Sequence, residues 1–160
     1  MTPVSAFDLF NGERPELSFG CEKIDRVIGM LNVAGITEIS GEAGTGKTQF
    51  CLCLSLQCQL PVSKGGMNGS CTYLNCGEGQ FPIRRLNQLA GSYSPDITQQ
   101  TKFLENVMIE QSYSPEEALN TLSKKIPEMC LSKGVKLLII DSLAGAYPLA
   151  SSSVYDFVIT

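Results

Sequence analysis

Hydrophobic positions along this chain alternate between helical and strand periods. Cys21 to Leu31 places Ile24, Val27, Ile28 and Leu31 three or four residues apart, which predicts a helix with one apolar face. Ile36-Thr37-Glu38-Ile39-Ser40, behind Gly35, is short and β-branched and predicts a strand. Gln49 to Cys58 is mostly apolar and free of Gly and Pro, so it predicts a helix buried on most sides. Leu60 to Ser70, with Pro61, Gly65, Gly66 and Gly69, reads as a loop. Cys71 to Cys76 predicts a second strand. Pro82 then opens a helix with Ile83, Leu86, Leu89 and Ala90 on one side, closed by Gly91.

The polar run Ser92 to Lys102 reads as a connection to a third strand, Asn106 to Glu110. Ser114-Pro115-Glu116-Glu117 is a capping box with proline at the first helical position. The helix it starts is expected to bury Leu119, Leu122, Ile126 and Cys130, with Pro127 kinking or ending it and Lys133-Gly134 stopping it. Lys136 to Asp141 carries four consecutive apolar residues, the signature of a parallel strand buried on both faces. Strands alternating with helices predict an α/β fold, a parallel sheet flanked by helices. No internal repeat interrupts this order. Residues 1–16 read as a polar N-terminal arm, in which Phe7 and Phe10 are ordinary arm residues. Residues 17–150 read as the core and 151–160 as a tail.

With 160 residues the chain is long enough for one domain with a real core. Its net charge of −4 and pI near 4.8 give it no overall pull on nucleic acid. Any basic surface for DNA has to be local or supplied by a partner. The longest apolar run is too short to span a bilayer, and the first residues lack the pattern of a secretory signal. Seven cysteines occur without a single C-x-x-C pair, which argues for reduced core thiols over a structural zinc site. The absence of histidine removes histidine-based triads and most catalytic zinc sites.

The chemistry concentrates between the first strand and the helix after it. Gly41-Glu42-Ala43-Gly44-Thr45-Gly46-Lys47-Thr48 reads G-x-x-x-x-G-K-T, the P-loop pattern, in the strand–loop–helix setting that the pattern requires. Its glycines let consecutive N–H groups turn inward on an anion. Lys47 supplies a point charge for β- and γ-phosphates, and Thr48 a hydroxyl for Mg²⁺. The following helix adds its free N–H groups and its dipole. Asp141, at the end of the last apolar strand, has the position of a Walker B carboxylate that holds Mg²⁺ together with Thr48. Glu78, in Cys76-Gly77-Glu78-Gly79, reads equally as a group that orients an attacking water and as a surface residue in a Gly-rich turn.

Taken together, several stretches resemble the RecA-like recombinases, in the eukaryotic branch that contains the strand-exchange recombinase and its paralogues. They are Leu17 to Cys21 with Ile24-Asp25, Gly35 to Glu42, Gly46 to Gln49, Cys58 to Pro61 with Gly65-Gly66, Phe81-Pro82 with Arg85-Leu86, and Leu137 to Ser142. Phe81-Pro82 with Arg84-Arg85-Leu86, and Lys124 to Pro127, are most similar to the X-ray cross-complementing group-three paralogues. The similarity covers about residues 17–150.

The resemblance implies a P-loop NTPase fold of RecA type, incomplete at the C-terminus. It implies that Gly41, Glu42, Ala43, Gly44, Thr45, Gly46, Lys47 and Thr48 bind ATP. It further implies that Thr48 and Asp141 serve Mg²⁺, that Glu78 is the catalytic glutamate, and that Arg85 lies near the adenine. The implied activity is that of a DNA-dependent ATPase-like recombinase paralogue in double-strand-break repair by homologous recombination, with ATP as a switch for partner and DNA binding. The implied partners are the C-type recombinase paralogue and the strand-exchange recombinase, with DNA reached through the complex and no membrane. The implied location is the nucleus, with the cytoplasm second.

Three departures bear on this. Gly77 looks like an extra residue before Glu78, and a carboxylate displaced by about 1 Å costs on the order of a hundredfold in rate. The family's N-terminal helical domain is not in this sequence. After Asp141 the family has further strands, a polar sensor and a DNA-binding loop, whereas here no basic residue follows Lys136. The tail from Val154 is unlike the family, as in a truncated or alternatively spliced product, and predicts marginal stability or dependence on a partner. Two other readings stay open: a scaffold fragment without turnover, and an unrelated P-loop kinase or ATPase.

Overall fold

The computed structural model describes residues 16–32, 35–76 and 79–142, and the backbone of 155–159. The arm residues 1–15 with Phe7 and Phe10, the Gly77-Glu78 pair and half of the tail, 151–154 and 160, lie outside the described residues. Two short strands, β1 (Glu16–Leu17) and β2 (Leu31–Asn32), pair antiparallel around helix α1 (Glu22–Ile28). Then come β3 (Ile36–Ser40), α2 (Lys47–Gln57), β4 (Ser70–Cys76), α3 (Ile83–Tyr93), α4 (Ile97–Glu105) and β5 (Val107–Ser112). Helices α5 (Pro115–Asn120) and α6 (Ile126–Lys133) are joined through a π-helical turn, Thr121–Lys125. Strands β6 (Val135–Asp141) and β7 (Tyr155–Ile159) complete the order.

The main sheet has the order β3-β7-β6-β4-β5. Strand β4 pairs in parallel with both β5 and β6, as the unbroken apolar run of β6 predicts. Strand β7 is antiparallel to β3 and to β6, so β3 and β6 point the same way. The sheet is therefore mixed. A segment read from sequence as tail fills the slot between two strands read as core. Four of its five residues, Tyr155, Phe157, Val158 and Ile159, are strand formers, and its backbone pairs edges of β3 and β6 that would otherwise lack partners.

Apolar residues separate to the two faces of the sheet. Cys71, Tyr73, Leu137 and Ile139 pack with Leu52, Leu54 and Leu56 of α2 and with Leu86, Ala90 and Phe103 of α3 and α4. Leu74, Cys76, Leu138 and Ile140 pack on the other face with Ala118 and Ile126. Each fully buried leucine contributes about 1.5–3 kcal/mol. Helices thus cover both faces, the architecture predicted from the alternating pattern.

Local differences from the sequence reading have physical causes. The polar run 92–102 contains the start of α4, which is capped by Asp96 accepting from the Thr98 N–H at 2.9 Å and anchored by buried Phe103. Pro127 does not end its helix, which runs on to Lys133. Its missing N–H and bulky ring fall just after the π-helical turn, where the wider winding makes room. That extra residue per turn shifts the buried face to Ala118, Leu122, Ile126 and Met129, leaving Leu119 and Cys130 exposed. In α1 only Ile24 packs on the core, while Val27 and Ile28 face outward. The Gly65-Gly66 turn is required by close approach: a Cβ on Gly66 would sit 2.1 Å from the Leu60 carbonyl oxygen.

Candidate nucleotide site

The loop between β3 and α2 is exposed and takes its shape from its own bonds. The Thr45 hydroxyl donates to the Glu42 carbonyl at 2.8 Å. Gly46, with φ +100°, occupies the N-cap position of α2 in a left-handed conformation that other residues rarely adopt. No side chain caps this helix, and its first turn holds no acidic residue. Its leading N–H groups and positive dipole end are left for an anion. Lys47 Nζ folds back and donates to the carbonyls of Gly41 at 2.9 Å and Glu42 at 3.0 Å. Gly44, Gly46, Lys47, Thr48 and Gln49 line a cavity of about 240 Å³.

The sheet brings Asp141 to the same edge. Glu38 and Ile140 flank the same residue of β7, Phe157, so Ile39 and Asp141 lie at one height. Two strand spacings separate them, about 10 Å. The P-loop starts two residues later, at Gly41. Asp141 has the same parity along β6 as Leu137 and Ile139, and therefore faces the α2 side. Asn75 of β4 lies directly opposite Asp141. Its amide donates to the Gly79 carbonyl and to Gln111 Oε1, both at 2.6 Å. Glu78 itself lies outside the described residues.

The hydroxyl of fully buried Tyr73 donates to Asp141 Oδ2. Cys76 is near the same carboxylate. Burial first, and the negative charge of Asp141 second, push its thiol up to about 11, so it stays protonated at neutral pH and brings no second negative charge. Arg85, on α3, is exposed beside the first turn of α2. Its Nε donates to Gln49 Oε1 at 2.5 Å and its Nη1 to Gln88 Oε1 at 3.2 Å. A separate cleft of about 540 Å³ opens at the opposite end of α2, by Gln57 and Ser18. Of its two carboxylates, Glu22 and Asp25, Asp25 is occupied structurally, accepting from the Ser18 hydroxyl at 2.7 Å and the Phe19 N–H at 2.8 Å.

The donor set fits a polyphosphate with Mg²⁺. An uncapped helix start, the Lys47 ammonium group, the Thr48 hydroxyl and a carboxylate lie at the same sheet edge, and among the described residues Lys47 donates to the backbone carbonyls of Gly41 and Glu42. Of the residues predicted from sequence, Gly41 to Thr48 and Asp141 are brought to one edge, and Arg85 reaches it through Gln49. Tyr73 and Asn75 were missed. Their sequence signal is positional: they sit at and below the end of a buried strand that precedes the Gly-rich turn.

Comparison with known proteins finds relatives among DNA repair proteins. DNA repair protein XRCC3 of Bos taurus is 32% identical over 146 residues, covering 86% of this chain and 42% of that protein. The XRCC3 homolog of Arabidopsis thaliana is 36% identical over 141 residues, with 82% and 46% covered. DNA repair protein RAD51 of Mycosarcoma maydis is 32% identical over 147 residues, with 91% and 42% covered. The chain spans less than half the length of these relatives. The Rad51 family model matches residues 13–153, from before β1 to beyond the strand that carries Asp141, and the chain belongs to the Rad51 family.

Proposed function

We propose that this chain binds Mg-ATP on Gly41 to Thr48 and uses the bound state as a switch for partner and DNA engagement in double-strand-break repair by homologous recombination. The observation that carries the proposal is the common height of the P-loop strand and of Asp141 on the α2 side of the sheet. The repair role is supported by the names of the relatives, three of which are given above. A net charge of −4 supports reaching DNA through a complex, with the C-type paralogue and the strand-exchange recombinase as partners. Both the nucleus, as the place of that work, and Glu78, as the group orienting water, remain parts of this proposal.

On binding, Lys47 leaves two exposed carbonyls for the phosphates. The α2 N–H groups would cradle them, and Arg85, released from Gln49, would be free to stack its guanidinium on the base. Thr48 and Asp141 would hold Mg²⁺, which neutralises charge on the phosphate oxygens. Gly77 ahead of Glu78 favours slow hydrolysis or none, which suits a switch.

A thermal-shift titration with Mg-ATP, run beside Lys47→Ala, tests the site. At 100 times Kd the ligand adds about 2.7 kcal/mol of stability. The expected result is a clear shift lost in the variant. Equal shifts in both proteins, or none in either, would remove the assignment. Pull-down of the C-type paralogue with and without ATP tests the switch, and nucleotide-independent capture would leave the scaffold reading in its place.

A further inference from the structure

We propose that Tyr73 is the positioning residue of the metal carboxylate: its buried hydroxyl fixes Asp141 through Oδ2 and leaves Oδ1 for the cation. The inference rests on the nucleotide-site reading above. Tyr73 pairs across the sheet with Ile139, and Asn75 with Asp141. Tyr73 therefore sits one step of two residues below Asp141 on the same face, about 6.6 Å along the strand. A tyrosine side chain spans that distance, and its hydroxyl meets Asp141 Oδ2. Among the described residues nothing donates to Oδ1.

The ring is held as well as the hydroxyl. Tyr73 is fully buried, and it packs edge-on against Phe81 with centroids 4.9 Å apart at 74°. Phe81 directly precedes Pro82, whose carbonyl accepts the first hydrogen bonds of α3. The Phe81-Pro82 pair singled out in the sequence thus gains a role: it clamps the ring that orients the carboxylate. A buried phenol needs a hydrogen-bond partner, and here the partner is the group expected to meet the metal. Groups that orient metal ligands typically carry 10- to 100-fold in metal affinity.

The test is the Mg²⁺ dependence of nucleotide binding, read with a fluorescent ATP analogue on the full 160-residue chain. Tyr73→Phe keeps the ring and removes the donor. Its Mg²⁺ midpoint should rise about 10- to 100-fold, while affinity in EDTA stays as in the wild type. In an Asp141→Asn background the same substitution should change nothing. An unchanged midpoint in Tyr73→Phe, beside a wild type whose Mg²⁺ dependence Asp141→Asn abolishes, overturns the inference alone. A wild type that binds no nucleotide overturns the site reading and this inference with it.

A second measurement serves if Tyr73→Phe fails to fold. In the wild-type chain labelled with ¹³Cζ-tyrosine, the Tyr73 resonance is identified by elimination with variants of Tyr93, Tyr113, Tyr147 and Tyr155. It should move when Mg²⁺ is added to the ATP-loaded protein and not when ATP is added in EDTA. A resonance indifferent to Mg²⁺ overturns the proposal.

Discussion

Strands β3 and β6 deliver the two halves of the proposed nucleotide site from opposite surroundings. In β3 every residue is exposed or half-buried, and among the described residues its only strand neighbour is β7. In β6 the run Leu137 to Ile140 is buried, and the strand is paired on both sides. The P-loop therefore owes its shape to glycines and to its own hydrogen bonds, all made at the surface. Asp141 owes its position to a packed sheet and a buried tyrosine. In the proposed site the loop side would rearrange cheaply when a ligand arrives, whereas the Asp141 side is set in advance. Such a division suits a switch, because the moving parts carry little of the fold's stability.

The largest test of that contrast is a pair of truncations. Ile139→Ala, at a site with no exposure, should cost about 2–5 kcal/mol. Ile36→Ala, where the side chain is 67% exposed, should cost no more than about 0.5 kcal/mol. Urea unfolding measures both. A large loss at Ile36 would mean that β3 is covered in solution and that the comparison fails. Amide hydrogen exchange gives the same contrast without mutation. The β4 and β6 amides should exchange only through global opening and those of β3 through smaller openings.

The same contrast explains what could be read from the sequence. The buried strands announce themselves: Leu137 to Ile140 needs little beyond its apolarity, and Gly41 to Thr48 needs little beyond its spacing. The capping box at Ser114 is legible because it is local, and the Ser114 hydroxyl does accept from the Glu117 N–H at 3.2 Å. Helix α4 escaped because its apolar anchor is Phe103 near its end, behind a polar first turn. Strand β7 escaped because its pairing with β3 and β6 is non-local, and five residues rich in strand formers do not say where they insert. The Tyr73–Asp141 contact joins residues 68 apart in sequence, so only the strand register shows it.

A pH effect of intermediate size sharpens the buried side of the comparison. Burial raises the Cys71 thiol well above its ordinary 9.0, and raises Cys76 to about 11. The folded chain keeps these protons where the unfolded chain would release them. The Cys76 contribution is fully present below pH 9.0 and is lost as pH rises toward about 11, and Cys71 acts in the same direction, so stability should fall as pH rises above 9.0. Cys76→Ala should flatten the fall, measured as the urea midpoint against pH. An equal fall in the variant would place the thiol in water. Smaller again, Ser114→Ala removes the cap of α5 and should cost about 1 kcal/mol in the same assay.

A small, salt-dependent effect belongs to Lys125 and Glu110. This pair ties the π-helical turn to β5 with 2.6 Å between Nζ and Oε2, a geometry that looks strong. Its surroundings argue otherwise. The lysine side chain is 52% exposed and the glutamate 22%, so water competes for both. Lys125→Met should therefore cost at most about 1 kcal/mol, and the difference should shrink as salt is added. If the loss were several times larger and indifferent to salt, the outer face of β5 would be part of the rigid half. The boundary between the set and the movable parts of this site would then run through β7 rather than around the sheet's periphery.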